Sequence, residues 1–309
     1  MRAAGVERGE MSRDWESVLT TWSQGPSDTE QERAANAEAQ VRQAIADSAK
    51  LRQRNIRVFV QGSYRNRVNV RQDSDVDVGV LCFDSYFPDY ADDNVKALVE
   101  KKETASTYSY STLKGEVEEA LVARFGRSAV TRGTKAFDIK ANTYRVDADV
   151  APFFEHRRWI SETQYHSGVE LLPDNATPPI VRNWPEQHYE NGVVKNTATE
   201  RRFKRIVRIL KNLRNEMADG GVAAAKPIPS FLVECLMWNV PNNRFGYPTY
   251  KKTVRECLAH LFNNTMEEEK CSEWREISEL KYLFRGSQPW TWQEAHSFID
   301  AAWNYMGLE

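Results

Sequence analysis

The chain has 309 residues, long enough for two lobes and a substantial core. Its 41% of hydrophobic residues and its 9 tryptophans exclude an intrinsically disordered protein. The formal net charge of -2 argues against a protein dedicated to coating nucleic acid, because such proteins are usually basic overall.

The N-terminal part of the sequence predicts a disordered leader followed by helices. Residues 1–11 lack the apolar stretch of a secretory signal, and no later run approaches membrane length, so we expect a cytoplasmic protein without membrane contact. Apolar residues then recur at helical spacing, at Trp15, Val18, Leu19 and Trp22. A second helix is expected from Thr29 to Arg54, with Ser27 or Asp28 as its N-cap.

Several kinds of site are absent from the sequence. The 4 cysteines are scattered without a C-x-x-C pair, which predicts buried reduced thiols rather than a zinc site or disulfides. Neither a Walker A motif nor an H-E-x-x-H motif is present, which excludes a P-loop enzyme and a metalloprotease of that type.

Two aspartates share one face of a predicted strand. From Asp75 to Phe83 the residues alternate, so that Val76, Val78 and Val80 point one way while Asp75 and Asp77 point the other. Carboxylates this close raise each other's pKa unless a cation lies between them. A divalent metal ion explains the pair, and Mg²⁺ suits oxygen ligands.

A predicted strand, residues 57–60, ends just before a glycine turn that suits a phosphate. Gly62 leaves backbone N–H groups accessible, and Ser63 adds a hydroxyl donor. Eleven residues separate Ser63 from Asp75. A phosphate-binding turn, a short spacer and D-x-D on the next strand resemble the arrangement of polymerase-β-type nucleotidyltransferases.

The middle of the chain predicts a third carboxylate. After a polar loop at 84–107 and a helix from Tyr110 to Phe125, short strands are expected near 129–130 and 137–140. Between 144 and 154 the alternation turns Arg145, Asp147 and Asp149 away from the core, toward the first two carboxylates. Two-metal phosphoryl chemistry needs such a third acid, and either aspartate could supply it.

The second half of the chain predicts mostly helices. Residues 155–194 are rich in Pro, Asn and Trp and predict an irregular crossover, with a turn at Asn191-Gly192. The helix from Glu200 to Met217 has an apolar stripe and, on another face, three cations that need either an anionic partner or solvent: Lys204, Arg208 and Lys211. Three further helices are expected, at 250–262, 271–284 and 292–305.

Ser230 follows the proline-rich segment 226–229 and precedes an apolar helix. Its position is that of an N-cap, which would be a purely structural role.

Six motifs in this order resemble one family, the bacterial cGAS/DncV-like nucleotidyltransferases (CD-NTases) of CBASS antiphage operons. They are Q-G-S-Y-R-N-R-V-N, D-S-D-V-D-V, D-A-D-V-A-P, N-G-V-V-K-N, F-K-R-I-V-R-I-L-K-N-L-R-N and P-S-F-L-V-E. The resemblance implies an α+β, two-lobed polymerase-β-type core at residues 12–194 and a C-terminal helical lobe at 195–309. The fourth motif is similar to that of the CdnE clade, members of which can use pyrimidine nucleotides.

The resemblance also implies roles for individual residues. The third acid of the family precedes small apolar residues and often a proline, which favours Asp149 over Asp147 as the partner of Asp75 and Asp77. The triphosphate would be bound by Gln61, Gly62, Ser63, Lys204, Lys211 and Ser230. Asn191 or Asn196 would approach the base.

The implied activity is the synthesis of a cyclic di- or trinucleotide from nucleoside triphosphates, UTP and ATP among them, with two Mg²⁺ ions (or Mn²⁺) and release of pyrophosphate. We expect a monomer whose product acts on a CBASS effector. Two alternatives stay open: a linear oligonucleotide or tRNA-end nucleotidyltransferase, and an inactive nucleotide-binding module.

Overall fold

The computed structural model describes residues 13–70, 75–104, 106–140, 147–286 and 288–308, and the side chain of Arg33 is not described. The predicted leader and the predicted orientation of Arg145 lie outside these ranges. The chain begins with α1 (Trp15–Trp22) and α2 (Asp28–Asp47). Ser27 caps α2 through a capping box with Glu30, which confirms the predicted cap.

One mixed sheet forms the first lobe. Its elements in chain order are β1 (Ile56–Val60), α3 (Gly62–Asn66), β2 (Val76–Tyr90), α4 (Asp93–Glu100), α5 (Tyr110–Phe125), β3 (Val130–Arg132), β4 (Phe137–Ile139), β5 (Ala148–Trp159), β6 (Tyr165–Leu171) and β7 (Val181–Asn183). The strand order is β1-β2-β5-β4-β3, with β6 paired to β5 and β7 to β6. β2 and β5 are parallel, whereas the other pairs are antiparallel.

A hydrophobic core joins this sheet to α2 and α5. Val78 and Val150, on the two parallel strands, are fully buried and pack in one cluster with Val41 of α2 and Val117 of α5. Burying each such side chain stabilises the fold by about 1.5–3 kcal/mol. The alternation read from the sequence is therefore confirmed: the valines of β2 are all within the core.

The second lobe is helical. It consists of α6 (Pro185–Ala198), α7 (Phe203–Asp219), α8 (Ser230–Trp238), α9 (Tyr250–Thr265), α10 (Glu268–Cys271) and α11 (Trp292–Tyr305). Its core also takes in Trp15 and Leu19 of α1, so the N-terminal helix packs against the C-terminal helices. A mixed sheet with helices and a separate helical core confirms the predicted α+β architecture. No described helix is long and apolar enough to cross a membrane.

Four sequence expectations are wrong. The predicted loop at 84–107 instead contains the end of β2 and all of α4. The predicted irregular crossover at 155–194 contains the end of β5, all of β6 and β7, and most of α6. Asn191 and Gly192 lie inside α6, where the Asn191 amide donates a hydrogen bond to the Ile277 carbonyl at 2.8 Å. The predicted helix at 271–284 is replaced by irregular structure with one bridge, Arg275 to Tyr282. In each case tertiary contacts override local propensity.

Arg208 of α7 binds two backbone carbonyls, one just after α1 and one just after α3. Its Nε and Nη2 donate to the Ser23 carbonyl at 2.9 and 2.6 Å, and its Nη1 donates to the Arg67 carbonyl at 2.6 Å. The side chain is buried. The sequence predicted that Lys204, Arg208 and Lys211 would face an anionic partner or solvent. Arg208 does neither, because its guanidinium binds backbone carbonyls.

We expect Arg208→Met to lower the free energy of unfolding by about 3 kcal/mol, because it removes charged hydrogen bonds and leaves the buried Ser23 carbonyl unpaired. Urea denaturation followed by circular dichroism measures the loss. Arg205 is exposed on the same helix, so Arg205→Met is the matched control and should stay within about 0.5 kcal/mol of the parent protein. Equal losses from the two variants would contradict this role of Arg208.

Candidate active site

A cavity of about 870 Å³ lies between the sheet and the helical lobe. Its wall combines residues of the turn after β1, of β7, of α7 and α8, and of the segment 276–290. This volume is at the upper end of the range for small-molecule sites. Residues from both lobes therefore enclose one space that is large enough for nucleotides.

Asp77 lines this cavity, and Asp149 lies beside Asp77 on the neighbouring strand without being part of the cavity wall. Asp77 on β2 is the direct register partner of Asp149 on β5, and Asp75 precedes β2 by one residue. Burial, followed by the charges of Asp149 and Asp75, raises the pKa of Asp77 to about 7. Burial and the charge of Asp75 also raise the pKa of Asp149. These carboxylates disfavour each other's ionisation, as the sequence led us to expect.

The carboxylates at this edge suit a hard divalent cation such as Mg²⁺, because such ions prefer oxygen ligands. A cation between the carboxylates would also offset their mutual repulsion. Within the described ranges, no three His, Cys, Asp or Glu side chains are gathered closely enough to hold a metal ion. Asp75, Asp77 and Asp149 are therefore electrostatic neighbours that do not form a ready-made ligand set.

Asp147 and Asp149 differ in their surroundings. Asp147 is exposed and comes just before β5, while Asp149 is half-buried within it. The Asp147 carbonyl accepts a hydrogen bond from the Val76 N–H at 2.9 Å. The register of the two strands therefore brings Asp149, rather than Asp147, directly opposite Asp77.

The turn that begins α3 touches the acidic edge. Gly62 has a φ of +64°, and a Cβ placed on it would lie 2.1 Å from Oδ2 of Asp77. Only glycine tolerates both the left-handed backbone and this close approach. Gln61, Gly62 and Ser63 all line the cavity, so the structure brings these predicted phosphate-binding residues beside Asp77.

Lys211 lies in the cavity wall, but it is already paired. Its Nζ is 2.5 Å from Oε1 of Glu234, and the His188 ring nitrogen Nε2 is 3.3 Å from the other carboxylate oxygen. Burial acts to raise the pKa of Glu234, yet Lys211 and His188 hold it at about 2. Lys211 and Glu234 thus form a buried ion pair, and a ligand phosphate would compete with Glu234 for the Lys211 ammonium.

Ser230 is the first residue of α8, and the N-cap is Pro229, so the predicted capping role is wrong. The Ser230 hydroxyl instead accepts a hydrogen bond from Nη2 of Arg214 at 2.5 Å. Ser230 also lines the cavity, which keeps it available to a ligand.

Two predicted nucleotide contacts lie away from this cavity. The Asn196 side chain accepts a hydrogen bond from the Lys204 N–H at 3.1 Å, near the start of α7, and the Lys204 ammonium lies 5.6 Å from the centre of the Tyr189 ring. Neither residue is part of the cavity wall. Asn191 is bound to Ile277, as described above.

The sequence reasoning missed much of the remaining wall. Arg158 lies over the Trp184 ring at 4.4 Å, and both line the cavity together with Arg182, Phe231 and Trp290. Glu234 was missed as well. Residues 155–159 read E-H-R-R-W and do not alternate, so the local sequence carried no signal that would have placed Arg158 on a strand at the cavity wall.

Comparisons with known proteins agree with this geometry. Residues 190–307 match the profile of the cGAS/DncV-like nucleotidyltransferase C-terminal helical domain. The chain is 41% identical to a cyclic dipyrimidine nucleotide synthase CdnE from Cecembia lonarensis, over 96% of this chain and 99% of that protein. A protein of the same name from Legionella pneumophila is 43% identical, also over 96% of this chain and 99% of its own length.

The structure is similar to that of the Rhodothermus marinus CdnE c-UMP-AMP synthase with Apcpp and Upnpp. The TM-score is 0.82 and the identity 29%, with 95% of this chain and 97% of that chain covered. Full-length similarity above 40% identity to the two relatives settles the family. The chain belongs to the cGAS/DncV-like nucleotidyltransferases.

Proposed function

We propose that this protein joins nucleoside triphosphates into a cyclic di- or trinucleotide, with release of pyrophosphate, as the signal-producing enzyme of a CBASS antiphage system. The observation that carries the proposal is the register pairing of Asp77 with Asp149 beside Gly62, at the edge of a cavity sized for nucleotides. The names of the relatives, which are synthases of cyclic pyrimidine-containing dinucleotides, support UTP among the substrates.

Asp75, Asp77 and Asp149 would hold Mg²⁺, or Mn²⁺ in its place, at two positions. When bound, these ions would polarise the α-phosphate and lower the pKa of a ribose hydroxyl. The repulsion among the three carboxylates and their all-oxygen chemistry support this assignment.

In the proposed reaction, the ribose hydroxyl oxygen of one nucleotide forms a bond to the α-phosphorus of another, and the bond to pyrophosphate breaks. Asp149 accepts the hydroxyl proton. Ser63, Lys211 and Ser230 donate hydrogen bonds to the β- and γ-phosphates, which stabilises the charge on the departing pyrophosphate. A second such transfer within the linear intermediate closes the ring.

We further propose that the protein is a cytoplasmic monomer and that its product, rather than the chain itself, reaches the effector. The 4 buried thiols support a reducing compartment, where disulfides are rare. Size-exclusion chromatography with light scattering tests the monomer, and a dimeric mass would contradict it.

Variants of the acidic residues test the activity. We expect Asp77→Asn and Asp149→Asn each to lower the rate of pyrophosphate release from mixed NTPs by at least about 100-fold, because a carboxylate needed in the reaction is lost. Mass spectrometry of the product, before and after phosphatase, distinguishes a ring from a linear chain. Manganese is left out of the assay.

Asp147→Asn and Asp138→Asn are the matched controls, since both carboxylates are exposed beside Asp149. Each should keep the rate within a few-fold of the parent protein. A 100-fold loss in Asp147→Asn with an active Asp149→Asn would reverse the choice of third acid. Full activity in Asp77→Asn would refute the proposed chemistry.

The stability of the metal-free protein should depend on pH through Asp77. Its pKa is about 7 in the folded protein and 3.8 as the ordinary value, so the folded state binds more protons between these limits. The free energy of unfolding therefore falls as the pH rises through this window, by at most about 4 kcal/mol. Urea denaturation in EDTA at pH 5 and pH 8 measures the difference.

Asp77→Asn should remove this part of the pH dependence, and added Mg²⁺ should raise the stability of the parent protein at pH 8. Identical pH dependence of the free energy of unfolding in the parent and Asp77→Asn proteins would show that folding does not raise the pKa of Asp77.

Two glycine substitutions test the close approach of the turn to Asp77. Gly62→Ala should lower the synthesis rate by at least about 100-fold, because the new Cβ meets the Asp77 carboxylate and the backbone is left-handed. Gly115→Ala is the control: it lies in α5 with open space around its Cβ position and should stabilise the fold by about 0.5–1 kcal/mol. Unchanged synthesis by Gly62→Ala would contradict the geometry of the turn.

A further inference from the structure

Two polar contacts, about one helical turn apart, join α7 to α8 at the cavity wall. Lys211 pairs with Glu234, and Arg214 donates to Ser230, each at 2.5 Å. Residues three or four apart lie on the same side of a helix, so both contacts lie on the facing sides of α7 and α8. Lys211, Ser230 and Glu234 line the cavity, while Arg214 lies outside its wall, behind Ser230.

The contact with Arg214 decides how the Ser230 hydroxyl can bond. A guanidinium group has only N–H donors, so the Ser230 oxygen must be the acceptor of this hydrogen bond. Among the hydrogen bonds of the described residues, this is the one that involves the Ser230 hydroxyl. The hydroxyl hydrogen therefore remains for another acceptor.

A serine without such a neighbour has other choices. Near the start of a helix its hydroxyl can bond to local backbone groups or to water. Because Arg214 donates to its oxygen, the Ser230 hydroxyl has one lone pair engaged and can offer its hydrogen to the cavity. A phosphate oxygen accepts hydrogen bonds and donates none, so it matches a hydroxyl prepared in this way.

We propose that Arg214 is a positioning residue that fixes the Ser230 hydroxyl as a hydrogen-bond donor to the β- or γ-phosphate of a bound nucleoside triphosphate. The inference rests on the proposed function, which supplies the triphosphate. Arg214 touches no substrate and acts through Ser230. The adjacent Lys211–Glu234 pair holds the two helices in the register that this contact requires.

The test is the affinity for a non-hydrolysable UTP analogue with Mg²⁺, measured by isothermal titration calorimetry. Arg214→Met should weaken binding about tenfold, the equivalent of one hydrogen bond to a charged group. Arg214→Lys should recover most of the affinity, because an ammonium group is also a donor without acceptor capacity. In a Ser230→Ala background, Arg214→Met should change the affinity less than about twofold.

Two controls separate positioning from general effects. Arg205→Met removes the same charge from an exposed site on α7 and should leave the affinity within about twofold. UMP lacks the β- and γ-phosphates, so its affinity should be the same for the parent and Arg214→Met proteins. Thermal melts show whether each variant is folded, and Arg214→Gln replaces Arg214→Met if the latter is not, because its amide oxygen can accept the Ser230 proton.

Equal losses from Arg214→Met in the parent and Ser230→Ala backgrounds would overturn the inference, as would an equal loss from Arg205→Met or an equal loss of UMP binding. Product formation from NTPs by the parent protein is measured in parallel. A parent protein that makes product but shows one of these results refutes the role of Arg214 alone. A parent protein that neither binds the analogue nor makes product refutes the proposed function as well.

Discussion

Repulsion between two carboxylates that neighbouring parallel strands place side by side is the constraint on which the rest of the site depends. Asp77 and Asp149 are register partners, and the next pair in the same register, Val78 with Val150, is fully buried in the core. The strands therefore cannot move apart to relieve the repulsion without opening that core. A fold that keeps this arrangement loses stability at the edge of its sheet, and a bound cation is the means that would restore it.

The helical lobe places two buried cations of α7, Arg208 and Lys211, on the side of the acidic edge, and each has its own partner groups. Arg208 binds backbone carbonyls next to α1 and α3, and Lys211 is paired with Glu234. Unpaired buried charges are costly, so Arg208 and Lys211, which are both buried, are each paired with acceptor groups. One helix, α7, thereby joins α1, the end of α3 and the cavity wall. This explains why α1 packs in the C-terminal core although it lies at the opposite end of the chain.

The part of the site that rests on strand alternation could be predicted from the sequence. A period of two predicts the buried valines and the outward aspartates directly, and the need for a third carboxylate predicts that the two strands lie close together. Local sequence could not predict the contacts of three other residues, because these contacts depend on how separate helices pack together. The residues are Asn196, Lys204 and Ser230. Asn191 and Gly192 favour a turn locally, yet α6 includes them. Pairing of β6 with β5 likewise overrides a stretch whose composition favours loops.

The most direct test of the account is the number of divalent ions bound beside the triphosphate. Mn²⁺ binding measured by electron paramagnetic resonance, in the presence of a non-hydrolysable UTP analogue, gives that number for the parent and Asp149→Asn proteins. We expect two ions per parent chain and one fewer after the substitution, because in the proposed site Asp149 would join Asp75 and Asp77 in holding the second ion. An unchanged number of bound ions in Asp149→Asn would contradict the central claim that carboxylates from both parallel strands share a metal.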